Sequence, residues 1–479
     1  MKRINNKGFA VSTVLYGLLI VFFLVITLLM SIISTNRKST VKLSEQIEEE
    51  LNSYSKKRVK HGTPNPPELV TGMIAVTYDD AKSAWVKANT EDGSWYNYNE
   101  QKWANAVTVT STNRSKYLTA PAGEVVSMND INTMWVWIPR YSYKKNGDNF
   151  DIKWIKYSSI DKDISSYYTS SAFCFGDTCD TSREDPTNKE LTGIWIAKFE
   201  VSPDNSNCQN NDEEANCNKT NIPPKIKPNE ISWRNATISS FYTSINTQMN
   251  GTNGATKYGL QTNYDAHMIK NIEWGAAAYL SQSIYGKFGN NNYTETKKEV
   301  TINNCSLYYT GIGSATNVID EYCTNSYETK IGQSSSTTGN IYGIYDMSGG
   351  SFEYVMGNVV NEKGKNYVGS PSGGTSGFSG ITLAGNTRGI PFPSKKYYNS
   401  YTYNTVTARM EFVSILGDAT EETSGMYQDA KNPITIAAPW YTRGGAYNSL
   451  KEAGIFSYLN RDGGTNGEVS TRATIISTK

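Results

Sequence analysis

Histidine is nearly missing from this chain: His61 and His267 are the only two in 479 residues. Both stand alone, and no cysteine pair has ribbon-like spacing beside a histidine, which argues against a zinc site. Cysteine stops at Cys323, so the C-terminal part offers no thiolate as nucleophile or soft metal ligand. HExxH, GxxxxGK[ST] and GxSxG are absent, and with them the usual zinc-protease, phosphate-loop and nucleophile-elbow chemistries. Charge excess is absent too: 46 Lys and Arg against 45 Asp and Glu leave +1, so nothing in the balance suggests nucleic acid as a partner. Adjacent acids such as Asp79-Asp80 and Glu421-Glu422 read as solvated.

What is present is polar yet aromatic, with 39 Gly and 33 Tyr among many Asn, Ser and Thr. That mixture argues for folded, extracellular-type β structure rather than disorder. At the N-terminus, residues 9–33 form a charge-free, largely apolar run. At about 1.5 Å per residue in a helix it is long enough to cross a hydrocarbon core of about 30 Å. Residues 36–54 continue as a stalk helix, with Leu43, Ile47, Leu51 and Tyr54 along one face. GTPNPPE at residues 62–68 cannot continue a helix and reads as a linker. The expected organisation is therefore leader, membrane helix and stalk over 1–61, linker over 62–68, a small aromatic-rich β segment over 69–124, and one large domain over 125–479.

Lys7-Gly8-Phe9 followed by the apolar run resembles the cleavage site of type IV prepilins and pseudopilins, cut between Gly8 and Phe9. The fifth residue after such a cut is Thr13, where most pilins carry the Glu that pairs with a neighbouring subunit. An uncleaved signal anchor is the competing reading. Either end makes the membrane a partner, and the pilin-like one adds other pilin subunits.

In the β segment, Trp85, Trp95, Tyr96, Tyr98 and Trp103 are expected to pack a small meander, with a hairpin turning at Asp92-Gly93. In the large domain, Ile238, Phe241, Tyr242, Ile245 and Met249 recur at helical spacing and stop at Asn250-Gly251, a good C-terminal cap. A second helix follows Asn271, with Glu273 in its first turn and Ile272, Ala276, Tyr279 and Leu280 as its buried stripe, and ends near Gly286. Long polar stretches around 151–185, 205–224, 290–336 and 364–424 read as loop insertions. Six cysteines allow fifteen connectivities. Neighbours within one insertion are the cheapest to join, giving Cys174 with Cys179, Cys208 with Cys217 and Cys305 with Cys323.

GIYDMSGGSFEYVMGN at residues 343–358 combines a glycine turn with the alternation of a half-buried strand at Phe352, Tyr354 and Met356. It resembles GLYDMSGNVWEW of the formylglycine-generating enzymes, or sulfatase-modifying factors, whose domain is a variant of the C-type lectin fold. MWVWIPR (134–140), IAKFEVS (196–202), ISWRNA (231–236), HMIKNIEWGAAAYL (267–280), RGGAY (443–447) and STRAT (470–474) are similar to further landmarks of that family, in order. The resemblance implies an α+β, C-type lectin-like fold of the sulfatase-modifying-factor type with large loop insertions, behind a single N-terminal transmembrane and stalk helix.

The family's copper-dependent chemistry uses two cysteines just after RGGSW; here those places are Ser449 and Gly454. No catalytic residue is therefore assigned, and the chain reads as non-enzymatic. The resemblance raises calcium as the one cofactor, with Asp346, Glu353 and Asn358 as its oxygen donors, although the family's Asn is Gly350 here. His267 reads as structural. Lectin-like domains bind through the irregular surface of their C-terminal half, here Trp440, Tyr447, Asn448, Phe456, Tyr458, Asn460, Arg461 and Asp462, while Arg443, Gly444 and Gly445 serve structure. The expected function is a surface-displayed binding protein, a minor pilin or tip adhesin, that recognises a glycan or protein. It sits as a single-pass membrane protein or in a pilus, with its ectodomain outside. An oxidoreductase with a relocated metal centre and a purely structural envelope component are the alternatives.

Overall fold

A computed structural model describes residues 18–27, 30, 62–156, 166–176, 189–289, 299–314, 316, 318–369, 376–403 and 415–478. The chain divides into two compact units, residues 1–60 and 61–479. In the first, residues 18–27 and 30 are helical. Among the described residues no helix is long and apolar enough to cross a membrane. The rest of the apolar run, Gly8-Phe9, the stalk and Cys179 lie outside the described residues.

The second unit is mixed α+β, mostly sheet with few helices. Its larger sheet draws on strands β1 (Ile74–Asp79), β2 (Ala84–Lys87), β3 (Asn105–Val109), β4 (Ile131–Pro139) and β5 (Gly193–Ala197). Helix α1 (Ile238–Gln248), strand β6 (Tyr264–Met268) and helix α2 (Asn271–Ser281) follow. A second sheet uses β7 (Phe352–Asn361), β8 (Asn399–Tyr403), β9 (Trp440–Gly444), β10 (Gly454–Arg461) and β11 (Val469–Thr471), and β12 (Ala473–Ser477) returns to the first. The first sheet runs β6-β12-β5-β4-β3-β1-β2, antiparallel throughout. The second runs β8-β7-β9-β10, with β11 parallel to the first half of β7 and β8 parallel to its second half.

The aromatic-rich segment is continuous with the first sheet, because Asn105–Val109 pairs directly with Ile131–Pro139. Two local expectations change. β1 lies between β2 and β3, so the segment is not a meander. The Asp92-Gly93 turn joins no hairpin: Ala84–Lys87 pairs backwards onto Ile74–Asp79, and Asp92 instead accepts from the Ser94 amide in a local side-chain turn. Trp95 is buried, donating from its indole to the Asn105 carbonyl at 2.9 Å. Burial of a large ring outweighs the local turn signal.

Both expected helices form. Thr237 caps α1 by accepting from the Ser240 amide, and Gly251 beyond it takes the left-handed conformation at φ +57°. In α2 the Glu273 carboxylate reaches back and accepts from the Lys270 amide at 2.9 Å, satisfying one free donor of the first turn. The helix ends at Ser281 rather than near Gly286, and it is buried on every side rather than along a stripe. The reason is its position within the core, where it contacts β4 and β7. β7 likewise departs from a half-buried pattern, since every residue from Phe352 to Val360 is buried. A strand paired on both edges and covered on both faces has no solvent side to alternate with.

Eight tryptophans, Trp85, Trp103, Trp135, Trp137, Trp195, Trp233, Trp274 and Trp440, are among the largest fully buried side chains. Charged groups are buried with them. Arg472 meets Glu353 in a two-pronged pair at 2.6 and 3.0 Å and donates to the carbonyls of Ala197 and Tyr345, which joins strands of both sheets. Arg443 donates to Asn271, Asp418, Ala419 and Ser457, a structural role for the start of RGGAY. Lys198 donates to the carbonyls of Ile341 and Gly343 at 2.7 and 2.8 Å, and burial pushes its ammonium well below the usual lysine range. Two disulfides brace the insertions, Cys208–Cys217 and Cys305–Cys323. Cys174 is also disulfide-bonded.

Candidate functional site

The turn before β7 sets the geometry of the surface it supports. Gly349 and Gly350 both have positive φ, +77° and +72°, a region that disfavours a Cβ. A Cβ on Gly350 would also lie 2.6 Å from the Glu200 carboxylate. Glu200 accepts from the Ser351 amide at 2.8 Å, so the turn is tied to the core through a buried acid. Burial, together with the nearby Glu353 and Asp346, pushes Glu200 well above the ordinary carboxylate range.

Around this turn several distant segments converge. Tyr447 donates its amide to the Gly350 carbonyl at 2.9 Å, and its ring packs edge-on against Tyr308 at 5.0 Å. The Arg234 guanidinium lies 3.8 Å from the Tyr308 ring centre and pairs with Asp212 at 2.6 Å. Asn448 faces Glu468 at 3.5 Å, and the Phe352 amide donates to the Glu468 carbonyl. Arg461 covers the Phe352 ring at 5.1 Å. Leu307 is 50% exposed beside Tyr308. Tyr308 itself holds a left-handed backbone at φ +58°, a conformation that costs a bulky residue about 1–3 kcal/mol and persists only where its surroundings enforce it. The result is an aromatic, amide and arginine surface on a rigid support, the composition of an adaptable contact face.

Of the eight residues expected to bind, Tyr447, Asn448 and Arg461 belong to this surface. Trp440, Phe456 and Tyr458 are corrected to core. Trp440 stacks on Phe392 at 5.5 Å, Phe456 packs with Phe150 and Tyr279, and Tyr458 packs against Tyr441. The physical reason is that the first five residues of β10 are covered on both faces. Asn460 and Asp462 hold loops: Asn460 donates to the Pro433 carbonyl at 2.6 Å, and Asp462 accepts from the Gly464 amide at 2.9 Å. Arg234, Tyr308 and Glu468 escaped the sequence reading because only the fold brings them to Tyr447; the one local hint is Tyr308 beside Cys305, inside a disulfide-closed loop.

The expected calcium donors are each engaged by protein. Asp346 accepts from the Asn303 side chain and the Gly311 amide, both at 2.8 Å. Glu353 pairs with Arg472, and Asn358 bonds the Tyr367 carbonyl and the Asn366 amide group. Among the described residues no group of three or more His, Cys, Asp or Glu side chains is arranged to hold a metal ion.

His267 sits at 0% exposure between two acids, with Nδ1 2.8 Å from Asp265 and Nε2 3.1 Å from Glu273. Burial works against its charge, but Glu273 and Asp265 outweigh it and hold the ring up to about 9. Burial likewise opposes ionisation of Glu273, yet Lys270 and His267 bring it down to about 2. The histidine is a charged structural strut.

No family model matches the chain, and no curated protein matches it. Among solved structures it is similar to Treponema denticola variable protein 1, at 11% identity over 74% of this chain and 98% of that one, with a TM-score of 0.30. A likeness of that size carries no conclusion about fold or function.

Proposed function

We propose that this chain is a non-enzymatic, surface-displayed binding protein. Its N-terminal segment holds it in a membrane or pilus, as the prepilin-like Gly8-Phe9 junction and the apolar run suggest. The remainder is read as a lectin-like domain of the sulfatase-modifying-factor type, on the strength of the ordered motifs from MWVWIPR to STRAT. The observation that carries the binding role is the Tyr308–Tyr447 surface, where aromatic rings, the buried Arg234, the half-buried Arg461 and the exposed Asn448 converge on a strained, disulfide-braced loop. Its ligand is a glycan or a protein.

The non-enzymatic reading is supported at the two places where the resembling family keeps its cysteines. Ser449 accepts from the Ala446 amide at 3.0 Å in a tight turn. Gly454 leaves no room for a side chain, since a Cβ there would lie 2.2 Å from the Asp429 carboxylate oxygens.

The test uses the full chain in lipid nanodiscs on arrays of glycans and extracellular proteins, wild type beside a Tyr308→Ala/Tyr447→Ala/Arg461→Ala variant. Specific binding that the variant loses is the expected result. Binding that the variant retains at full strength would place the site elsewhere.

A further inference from the structure

A second concavity lies away from the Tyr308–Tyr447 surface and shares no residue with it. It is a cleft of about 740 Å³ between the end of α1, the segment leading into β6, and Tyr397, within the range of about 300–1,000 Å³ usual for small-molecule sites. Its wall is unusual in chemistry. Among the described residues lining it, Asp265 is the only ionisable acid or base apart from tyrosine, and none is a lysine, arginine or histidine. The remaining polar side chains of the wall are amide and hydroxyl, from Asn246, Asn250, Asn263, Gln261 and three threonines. Gln261, Thr252 and Thr256 are exposed.

Two rings in this wall are held in place. Tyr264 donates its hydroxyl to the Met249 carbonyl at 2.8 Å. Tyr397 donates to Asp265 at 2.7 Å, and its ring sits edge-on to Tyr242 at 5.9 Å. Asp265 accepts from Tyr397 on one oxygen and faces His267 with the other, leaving each oxygen a further lone pair. Its negative charge is balanced from behind by the buried His267, and Lys396 adds to that field, so a cation in the cleft would gain little. An anion would meet the Asp265 carboxylate on the wall, and the nearby Lys396 ammonium is held over the Tyr397 ring at 4.7 Å. Ala255 and Thr256 of the wall belong to a π-helical turn, Gly254–Tyr258, an irregularity found frequently at functional sites. Gly254 is required there, since a Cβ would lie 2.3 Å from both the Met249 carbonyl and the Tyr264 hydroxyl.

We propose that this cleft is a binding site for a short neutral saccharide, whose ring hydroxyls bond Asp265 and the surrounding amides and whose apolar ring face packs on Tyr397. A carboxylate with a free lone pair on each oxygen suits neighbouring hydroxyls, and a fixed tyrosine ring suits the C–H face of a pyranose. The proposal does not rest on the Tyr308–Tyr447 surface, and either can fail alone.

The test is ligand-observed NMR on the full chain in nanodiscs, with maltotriose, cellotriose and triacetylchitotriose as probes and trigalacturonate as the acidic control. Thr256→Trp and Thr252→Trp, both at exposed positions, fill the cleft, Gln261→Ala removes one amide, and Tyr308→Ala/Tyr447→Ala serves as the control variant. The expected result is binding of at least one neutral trisaccharide that weakens at least about tenfold in the tryptophan variants, falls in Gln261→Ala and is unchanged in the control variant. Absence of binding by all three, preference for trigalacturonate, or binding indifferent to both tryptophans would overturn it.

Discussion

The His267 strut makes stability depend on pH in a way that can be worked out. Its imidazole is held up to about 9 in the folded chain, against about 6.5 for an unfolded histidine. A raised value means its contribution is fully present below about pH 6.5 and is lost as pH rises through about 9. At about 1.36 kcal/mol per pH unit, that gap corresponds to about 3 kcal/mol. Glu273, brought down to about 2, contributes above about pH 4.5 and loses its contribution as pH falls through about 2. The two share one contact, so the energy is counted once for the pair. Charged and titratable groups facing the ring are Asp265, Glu273, Lys270 through Glu273, and Tyr397. Glu353, which burial pushes up to about 7 against the pull of Arg472, has the same sign over a lower window, from about pH 4.5 to about pH 7, so the difference between wild type and variant is the quantity to read. Urea unfolding of wild type, His267→Gln and the control His61→Gln at intervals from pH 5 to pH 10 supplies it. The expected outcome is a loss of about 3 kcal/mol for His267→Gln at pH 6 that shrinks toward zero by pH 10. A pH-independent difference, or a His267 ring resonance titrating near 6.5, would refute the reasoning.

Further outcomes follow from the same contacts. Reducing Cys305–Cys323, which closes 18 residues, should cost about 3 kcal/mol by loop entropy, and Cys208–Cys217, closing nine, about 2.6 kcal/mol; serine variants in urea melts measure both. Arg472→Met should destabilise by about 3–5 kcal/mol, because it strands a buried carboxylate, and adding Glu353→Gln should recover part of that loss in a double-mutant cycle. Gly350→Ala meets both a positive φ and the Glu200 carboxylate, and should lower stability by about 1–3 kcal/mol, read as a shifted urea midpoint at unchanged slope.

Local periodicity was enough to find both long helices, since Ile238, Phe241 and Ile245 and then Ile272, Ala276 and Leu280 repeat at helical spacing and are buried where they should be. Two of the disulfides were legible because loop closure favours near neighbours. Burial on both faces was not. Trp440, Phe456 and Tyr458 alternate or cluster as an exposed strand would, and only the layers covering β9 and β10 decide that they face inward. Charge pairing was equally hidden: Arg472 and Glu353 are 119 residues apart, and Tyr397 and Asp265 are 132 apart. The candidate surface shows the same limit, since Tyr447 lies in a readable motif while Arg234, Tyr308 and Glu468 reach it only through the fold.

Adhesion of intact cells that display the chain tests the proposed role most directly. Cells carrying wild type should adhere to the immobilised glycan or protein found on the arrays. Cells carrying Tyr308→Ala/Tyr447→Ala/Arg461→Ala should not, with equal surface amounts shown by a membrane-impermeant amine reagent. Equal adhesion by both, or a folded unit that the reagent cannot reach from outside, would contradict the account.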